Sequence, residues 1–265
     1  MIDQYRKNVF LDPLKWAFCA LLLNVFFPVT RSLANETLNY LVIEDQAEPF
    51  QIVNQSNQHS GIVSDLLFKI FENSTYQLNV NSYPFKRMIR TIEDKTFPYW
   101  ITYGSVSWSP PQNLNLSECS ILTVRHILLP PKEEMIPLHG IGDLMGQRII
   151  LLFGFEYPYL DTYLDAGQMT ALRVQSYSSA FKALTFKRGV GFIEMESRIK
   201  YNLKKMGENY NDYHPVDMSN IIPQYDIRFA LSPQMPDEIK RYIDDRCHQL
   251  KRSGEYEKIV NKYLN

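Results

Sequence analysis

Apolar and polar positions along this 265-residue chain switch between a two-residue and a helical period, and the order of the switches predicts an α/β protein. Leu38-Asn39-Tyr40-Leu41-Val42-Ile43 is rich in β-formers and reads as a strand. Gly61 then leads into Ile62, Val63, Leu66, Leu67 and Ile70 at helical spacing, with polar Ser64, Asp65 and Lys69 between them. Gln77-Leu78-Asn79-Val80-Asn81 alternates as a strand. Pro84 stands where a helix begins, and Phe85, Met88, Ile89 and Ile92 mark its apolar face. Residues 98–107 are aromatic and β-prone, and Pro110-Pro111 breaks the run. Ile121 to Leu129 is a further strand, ended by Pro130-Pro131.

The second half repeats the theme. A turn at 142–146 feeds the apolar run Arg148 to Gly154, a helical stretch follows at 178–188, and a short strand at Val190 to Glu194. Tyr225 to Leu231 is another strand. Ile239, Tyr242, Ile243, Cys247 and Leu250 then form a helical stripe that Ser253-Gly254 interrupts before Tyr256, Ile259, Val260, Tyr263 and Leu264. The strands at 121–129 and 225–231 are expected to be two crossings between lobes. The first lobe would then comprise residues 35–125 plus 226–265, and the second residues 126–225. Two lobes tied by two strands bend as a hinge.

Residues 1–34 read as a secretory signal peptide. Arg6, Lys7 and Lys15 precede the apolar run Trp16–Val29, which is too short for a membrane span, and Ser32-Leu33-Ala34 is a small-x-small cleavage pattern. The expected location is therefore the periplasm. A formal net charge of −1 gives no basic field for nucleic acid. Beyond the leader only Cys119 and Cys247 remain. An oxidising compartment allows one disulfide between them, but two buried free thiols are the favoured expectation.

Several short patterns resemble the family 3 extracellular solute-binding proteins when taken in order. They are Glu48-Pro49-Phe50 after the opening strand, Gly61 and Asp65 at the next helix, Asp143-Leu144-x-Gly146, Phe153-Gly154, Ala183-Leu184 with Arg188, and the closing Ser253-Gly254-Glu255-Tyr256-Glu257-Lys258-Ile259. The resemblance spans roughly residues 38–264 and implies an α/β, two-lobed, type II periplasmic-binding-protein-like fold. Each lobe would be a mixed sheet flanked by helices, with two hinge strands. It also implies a monomer that captures a small molecule without covalent chemistry, cofactor or metal, and presents it to an inner-membrane ABC permease or a sensor kinase. Three departures bear on the ligand. Phe97-Pro98-Tyr99-Trp100 lacks the family's Asp, Ser105-Val106-Ser107-Trp108-Ser109-Pro110 lacks its carboxylate-clamping Arg, and Lys187-Arg188-Gly189-Val190 replaces its Gly-Arg-x-Asp turn. A bidentate guanidinium clamp is strong, so its absence argues against a standard α-amino acid.

The candidate ligand-binding residues are Glu48, Phe50, Arg87, Trp100, Tyr103, Trp108, Gly154, Tyr157 and Glu194. Arg87 follows Pro84 at a helix start, where anions are favoured, and would either meet the ligand or be a solvated helix-face residue, as Lys86 and Arg90 are expected to be. Trp100, Tyr103 and Trp108, with Tyr99, form an aromatic cluster that would serve either as a cleft wall or as strand packing. Gly154 and Tyr157, with Phe155 and Glu156 between them, follow a strand end, where open sheets bind ligands. Glu194 and Met195 end the next strand, and Glu194 would either accept an ammonium group or be a surface carboxylate. The five histidines have no metal spacing, and there is no GxGxxG or GxSxG motif. No catalytic residue is singled out. Two rival readings stay open: a degenerate receptor kept as a signalling or interaction module, and a dehydratase-like enzyme using Glu194, Glu48 or His126 as acid or base.

Overall fold

The computed structural model describes residues 37–264, so the expected leader lies outside the described residues. The chain opens with β1 (Thr37–Ile43), the small hairpin β2 (Ile52–Val53) and β3 (His59–Ser60), and α1 (Ile62–Phe71). Next come β4 (Gln77–Tyr83), α2 (Phe85–Glu93), β5 (Trp100–Gly104) and β6 (Leu116–Val124). β1 runs parallel to both β4 and β5, and the returning strand β12 (Tyr225–Leu231) inserts antiparallel between β5 and β6. The first sheet is therefore mixed, in the order β4-β1-β5-β12-β6.

The stretch 121–129, read from sequence as one strand, is two. Arg125 separates β6 from β7 (His126–Leu129), and the two belong to different sheets. The second lobe continues through β8 (Arg148–Leu152), α3 (Pro158–Asp165), β9 (Thr170–Val174) and α4 (Tyr177–Thr185). It closes with β10 (Phe192–Met195), α5 (Glu196–Lys205) and β11 (Val216–Asp217), giving the order β11-β7-β10-β8-β9. This sheet is also mixed: β8 is parallel to β9 and β10, and β7 is antiparallel to β10 and β11. Alternate residues of β8 feed different cores. Ile150 and Leu152 pack with α4, while Ile149 and Leu151 pack with Leu160 and Met218 on the other face. Burial on both faces explains why residues 149–152 are continuously apolar rather than alternating.

Two helices finish the chain, α6 (Asp237–Ser253) and α7 (Glu255–Leu264). Gly254, at φ 75°, takes the left-handed position that ends α6. Both pack on the first lobe, whose core joins residues from the two ends of the chain. Tyr263 of α7 accepts the Gly61 amide at 2.9 Å and donates to Asp65 at 2.7 Å.

Cys119 and Cys247 are both 1% exposed and form a disulfide with Cα atoms 6.3 Å apart. This corrects the expectation of free thiols. Spacing in sequence could not show that α6 lies directly on β6, within the reach of such a bond. Asp244, one turn before Cys247, accepts the backbone amides of Glu118 and Cys119 at 2.8 and 3.0 Å, which fixes the helix on the strand.

Among the described residues no helix is long and apolar enough to cross a membrane, and no group of three or more His, Cys, Asp or Glu side chains could hold a metal ion.

Candidate functional site

A cavity of about 360 Å³ lies between the two sheets. That is near the small end of the range for ligand pockets, about 300–1,000 Å³. The first lobe contributes Ile43 from β1, one flank of α2, Tyr103 of β5 and the loop carrying Trp108 and Ser109. The second contributes His126, Gly154 to Tyr159, Glu194, Met195 and Arg198. Tyr225, at the start of the return strand, closes the back.

The α2 contribution follows from helical geometry. Residues 85, 86, 89, 90 and 93 line the cavity, whereas 87, 91 and 94 border only a second depression, which 86 and 90 border too. Arg87 is therefore not in the cavity; it is exposed, with its guanidinium 5.8 Å from the Tyr83 ring. Lys86 and Arg90 are exposed, as expected of solvated side chains, and they also border the cavity. Trp100 is corrected by a similar argument. It stands three residues from Tyr103 on β5, so the two side chains point to opposite faces of the sheet. Tyr103 lines the cavity, while Trp100 is 3% exposed in the first-lobe core.

Glu48 also lies outside the cavity. Both its carboxylate oxygens accept from Lys205, at the end of α5, at 2.8 Å, so it bridges the lobes. Phe50 is fully buried under the floor, its ring 5.6 Å from Tyr103. It is held there by Gly61. The Ile62 and Val63 amides bond to the Pro49 and Phe50 carbonyls, and a side chain at Gly61 would place Cβ 2.6 Å from the Phe50 carbonyl oxygen. Trp108, Gly154, Tyr157 and Glu194 all line the cavity together with Tyr103.

The residue at the centre of the site is one that the sequence reading passed over. Arg198, in the first turn of α5, is 2% exposed. Its guanidinium sits 5.4 Å from the Phe50 ring and 5.2 Å from the Phe155 ring, and it donates to the Tyr103 hydroxyl at 2.9 Å. Phe155 in turn stacks on Phe85 of α2 at 5.1 Å. The result is a column, Phe85–Phe155–Arg198–Phe50, in which the outer members belong to the first lobe and the inner pair to the second.

The carboxylate nearest Arg198 is Glu194, at 3.5 Å. Burial raises the Glu194 pKa, and Arg198 and the Met195 amide pull against that rise. His126 shares a wall with Tyr225, their rings 5.7 Å apart. Burial first, and the Arg198 charge second, lower its pKa to about 4, so it is neutral at pH 7. Burial raises the Tyr103 hydroxyl pKa, and Arg198 opposes this. Arg198 Nε and His126 Nδ1 are both buried without a hydrogen-bond partner. Two buried unsatisfied polar atoms on residues lining one cavity are costly; Arg198 Nε needs an acceptor, and His126 Nδ1 needs an acceptor or a donor according to its tautomer.

Arg198 was hidden in the sequence because α5 buries a mixed face: Arg198 and Asn202 beside Ile199 and Leu203. The only apolar signal was that Ile199–Leu203 pair, four residues apart.

Two α/β lobes joined at a double crossing, with a small cavity of buried aromatic and charged groups between them, define a two-lobed binding-protein fold. The chain belongs to the bacterial extracellular solute-binding proteins, family 3, whose family model matches residues 40–265. No curated protein matches it in sequence. Solved structures share the fold at low identity. A histidine kinase sensor domain with similarity to periplasmic binding proteins aligns with a TM-score of 0.68 at 16% identity, over 88% of this chain and 97% of its own. The ancestral amino acid-binding protein AncCDT-1, a precursor of cyclohexadienyl dehydratase, gives 0.67 at 14% identity, over 86% and 95%. A mutant of ArgBP from T. maritima gives 0.65 at 16% identity, over 86% and 94%.

Proposed function

We propose that this protein is a periplasmic solute receptor that captures a small molecule between its lobes and presents the closed form to an ABC importer or a sensor kinase. In this reading residues 1–34 are a cleaved signal peptide, the first lobe is 35–125 plus 226–265, and the second is 126–225. The observation that carries the reading is the inter-lobe cavity, whose walls come from both sheets and whose lining residues Arg198 and His126 each keep a buried polar atom without a hydrogen-bond partner. A ligand there favours closure only as far as it binds the closed state better than the open one. Tyr103, Trp108, Gly154, Tyr157 and Glu194 are its proposed contacts, joined by Arg198, His126 and Phe155. The partner stays open between transport and sensing, because the structural neighbours include both a sensor domain and transporter-associated proteins.

The test is a thermal-shift screen over metabolites, followed by tryptophan fluorescence. A true ligand raises the midpoint with concentration, because it binds the folded state only. It also changes the emission of Trp108, which lines the cavity; Trp108→Phe removes the signal and Trp100→Phe keeps it. A flat screen, or a signal carried by Trp100, refutes the reading. One observation favours a dehydratase-like alternative: Glu194 and His126 line the same cavity and are both buried. Chemical conversion of the bound solute would distinguish it.

A further inference from the structure

Resting on the receptor reading above, we infer that the solute is a flat aromatic or heteroaromatic carboxylate whose acid group is read by Arg198 and His126, while its ring lies against the aromatic wall. Two observations converge on that class.

Arg198 is a buried cation with unspent donor capacity. Its fork reaches the Tyr103 hydroxyl at 2.9 Å and lies 3.5 Å from Glu194, but Nε has no acceptor. Glu194 Oε1 accepts the Met195 amide at 2.8 Å and pairs with the guanidinium at 3.5 Å, so it offsets part of the Arg198 charge without reaching Nε. A guanidinium with one donor still unpartnered is matched well by a carboxylate oxygen. The Nδ1 of His126, in the same cavity, is the second unpartnered atom and can donate to an acid oxygen or bridge to it.

The walls are aromatic on both sides. Trp108 and Tyr225 meet edge to face at 6.3 Å, and Phe85 and Phe155 stack at 5.1 Å. Rings packed in this way make large, flat, low-entropy contacts with another ring.

Lys86 and Arg90 border the cavity, but so do Glu93 and Glu156, the latter accepting from Ser109, so these side chains favour neither sign of ligand charge.

The purified protein is titrated by calorimetry with benzoate, indole-3-acetate and nicotinate, with the matching amides, and with L-arginine, L-glutamine and putrescine. At least one acid is expected to bind, with its amide weaker by roughly tenfold or more, because the amide has no charge and puts an N–H₂ where an oxygen is needed. Arg198→Lys keeps the charge but loses the fork. It is expected to weaken the acid roughly tenfold while leaving the weak amide affinity unchanged, and that split separates ligand reading from a general loss of structure. Equal binding of acid and amide, or unchanged acid binding by Arg198→Lys, overturns the inference. Binding of arginine, glutamine or putrescine but of no aromatic acid overturns it too, yet leaves the receptor reading standing. No binding by any compound counts against both.

Discussion

The Cys119–Cys247 bond is the feature whose removal has the most calculable consequence. The two cysteines are 128 residues apart, and the loop they close holds the whole second sheet and the return strand β12. The loop-closure entropy removed from the unfolded chain for a loop of this size is about 5 kcal/mol at 25 °C. The native contact survives partly without the bond, because Asp244 still accepts the Glu118 and Cys119 amides. The expected loss for the Cys119→Ala, Cys247→Ala pair is therefore about 2–5 kcal/mol, or a Tm lower by about 5–15 °C for a chain of this length. Far-ultraviolet circular dichroism of oxidised wild type and the double variant measures it. Alkylation of unfolded, unreduced protein followed by peptide mass analysis checks the bond itself. Two alkylated peptides carrying Cys119 and Cys247, or a Tm within about 2 °C of wild type, would refute the reasoning.

Gly61→Ala combines a backbone at φ 113° with a Cβ 2.6 Å from the Phe50 carbonyl oxygen. It is expected to cost roughly 2–4 kcal/mol in urea melts and to weaken solute binding through Phe50; a neutral result would mean that the loop yields freely. His126 predicts an acid-labile fold. Its folded pKa, about 4, lies below the ordinary 6.5, so the unfolded chain binds more protons across that window and stability falls as pH drops from 6.5 toward 4. The wild type should lose about 2 kcal/mol more than His126→Gln between pH 7 and 4.5. Glu194, whose raised pKa acts with the opposite sign, cancels in that difference; parallel stability curves for the two proteins would exclude the effect.

Periodicity carried the element order well, because each lobe's strands and helices bury clear apolar faces. It carried the site less well, for reasons visible in particular residues. The Phe85, Met88, Ile89, Ile92 stripe marks the inward face of α2, but which flank of that face meets the cavity depends on how the second lobe sits. The pattern thus favours Arg87 over Lys86 and Arg90, which stand one and three residues away, about 100° and 60° around the helix, and which border the cavity. Trp100 and Tyr103 look like one cluster in sequence, but strand parity divides them between core and cavity. Glu48 has the composition of a ligand contact and serves instead as Lys205's partner. α5 escaped notice because half of its buried face is polar, and with it went Arg198. Local rules fail where a buried charge is kept, and such places are candidates for function.

That failure bears on how the lobes communicate. Their direct bridges are individually weak. Lys205 is 58% exposed at the Glu48 contact, and a bridge so solvated is worth about 0–1 kcal/mol. Gln46 meets the Gln175 carbonyl at an exposed position. The contacts buried deepest between the lobes run through Arg198, which is rooted in the second lobe beside Glu194 and touches Phe50 and Tyr103 of the first. If the lobes part, those contacts break and the guanidinium hydrates, which satisfies Nε with water. When they close, Nε is left without a partner unless a solute supplies one. On the receptor reading, the empty closed state would carry a desolvation penalty of about 1–3 kcal/mol that a ligand acceptor removes, and Arg198 would couple binding to closure.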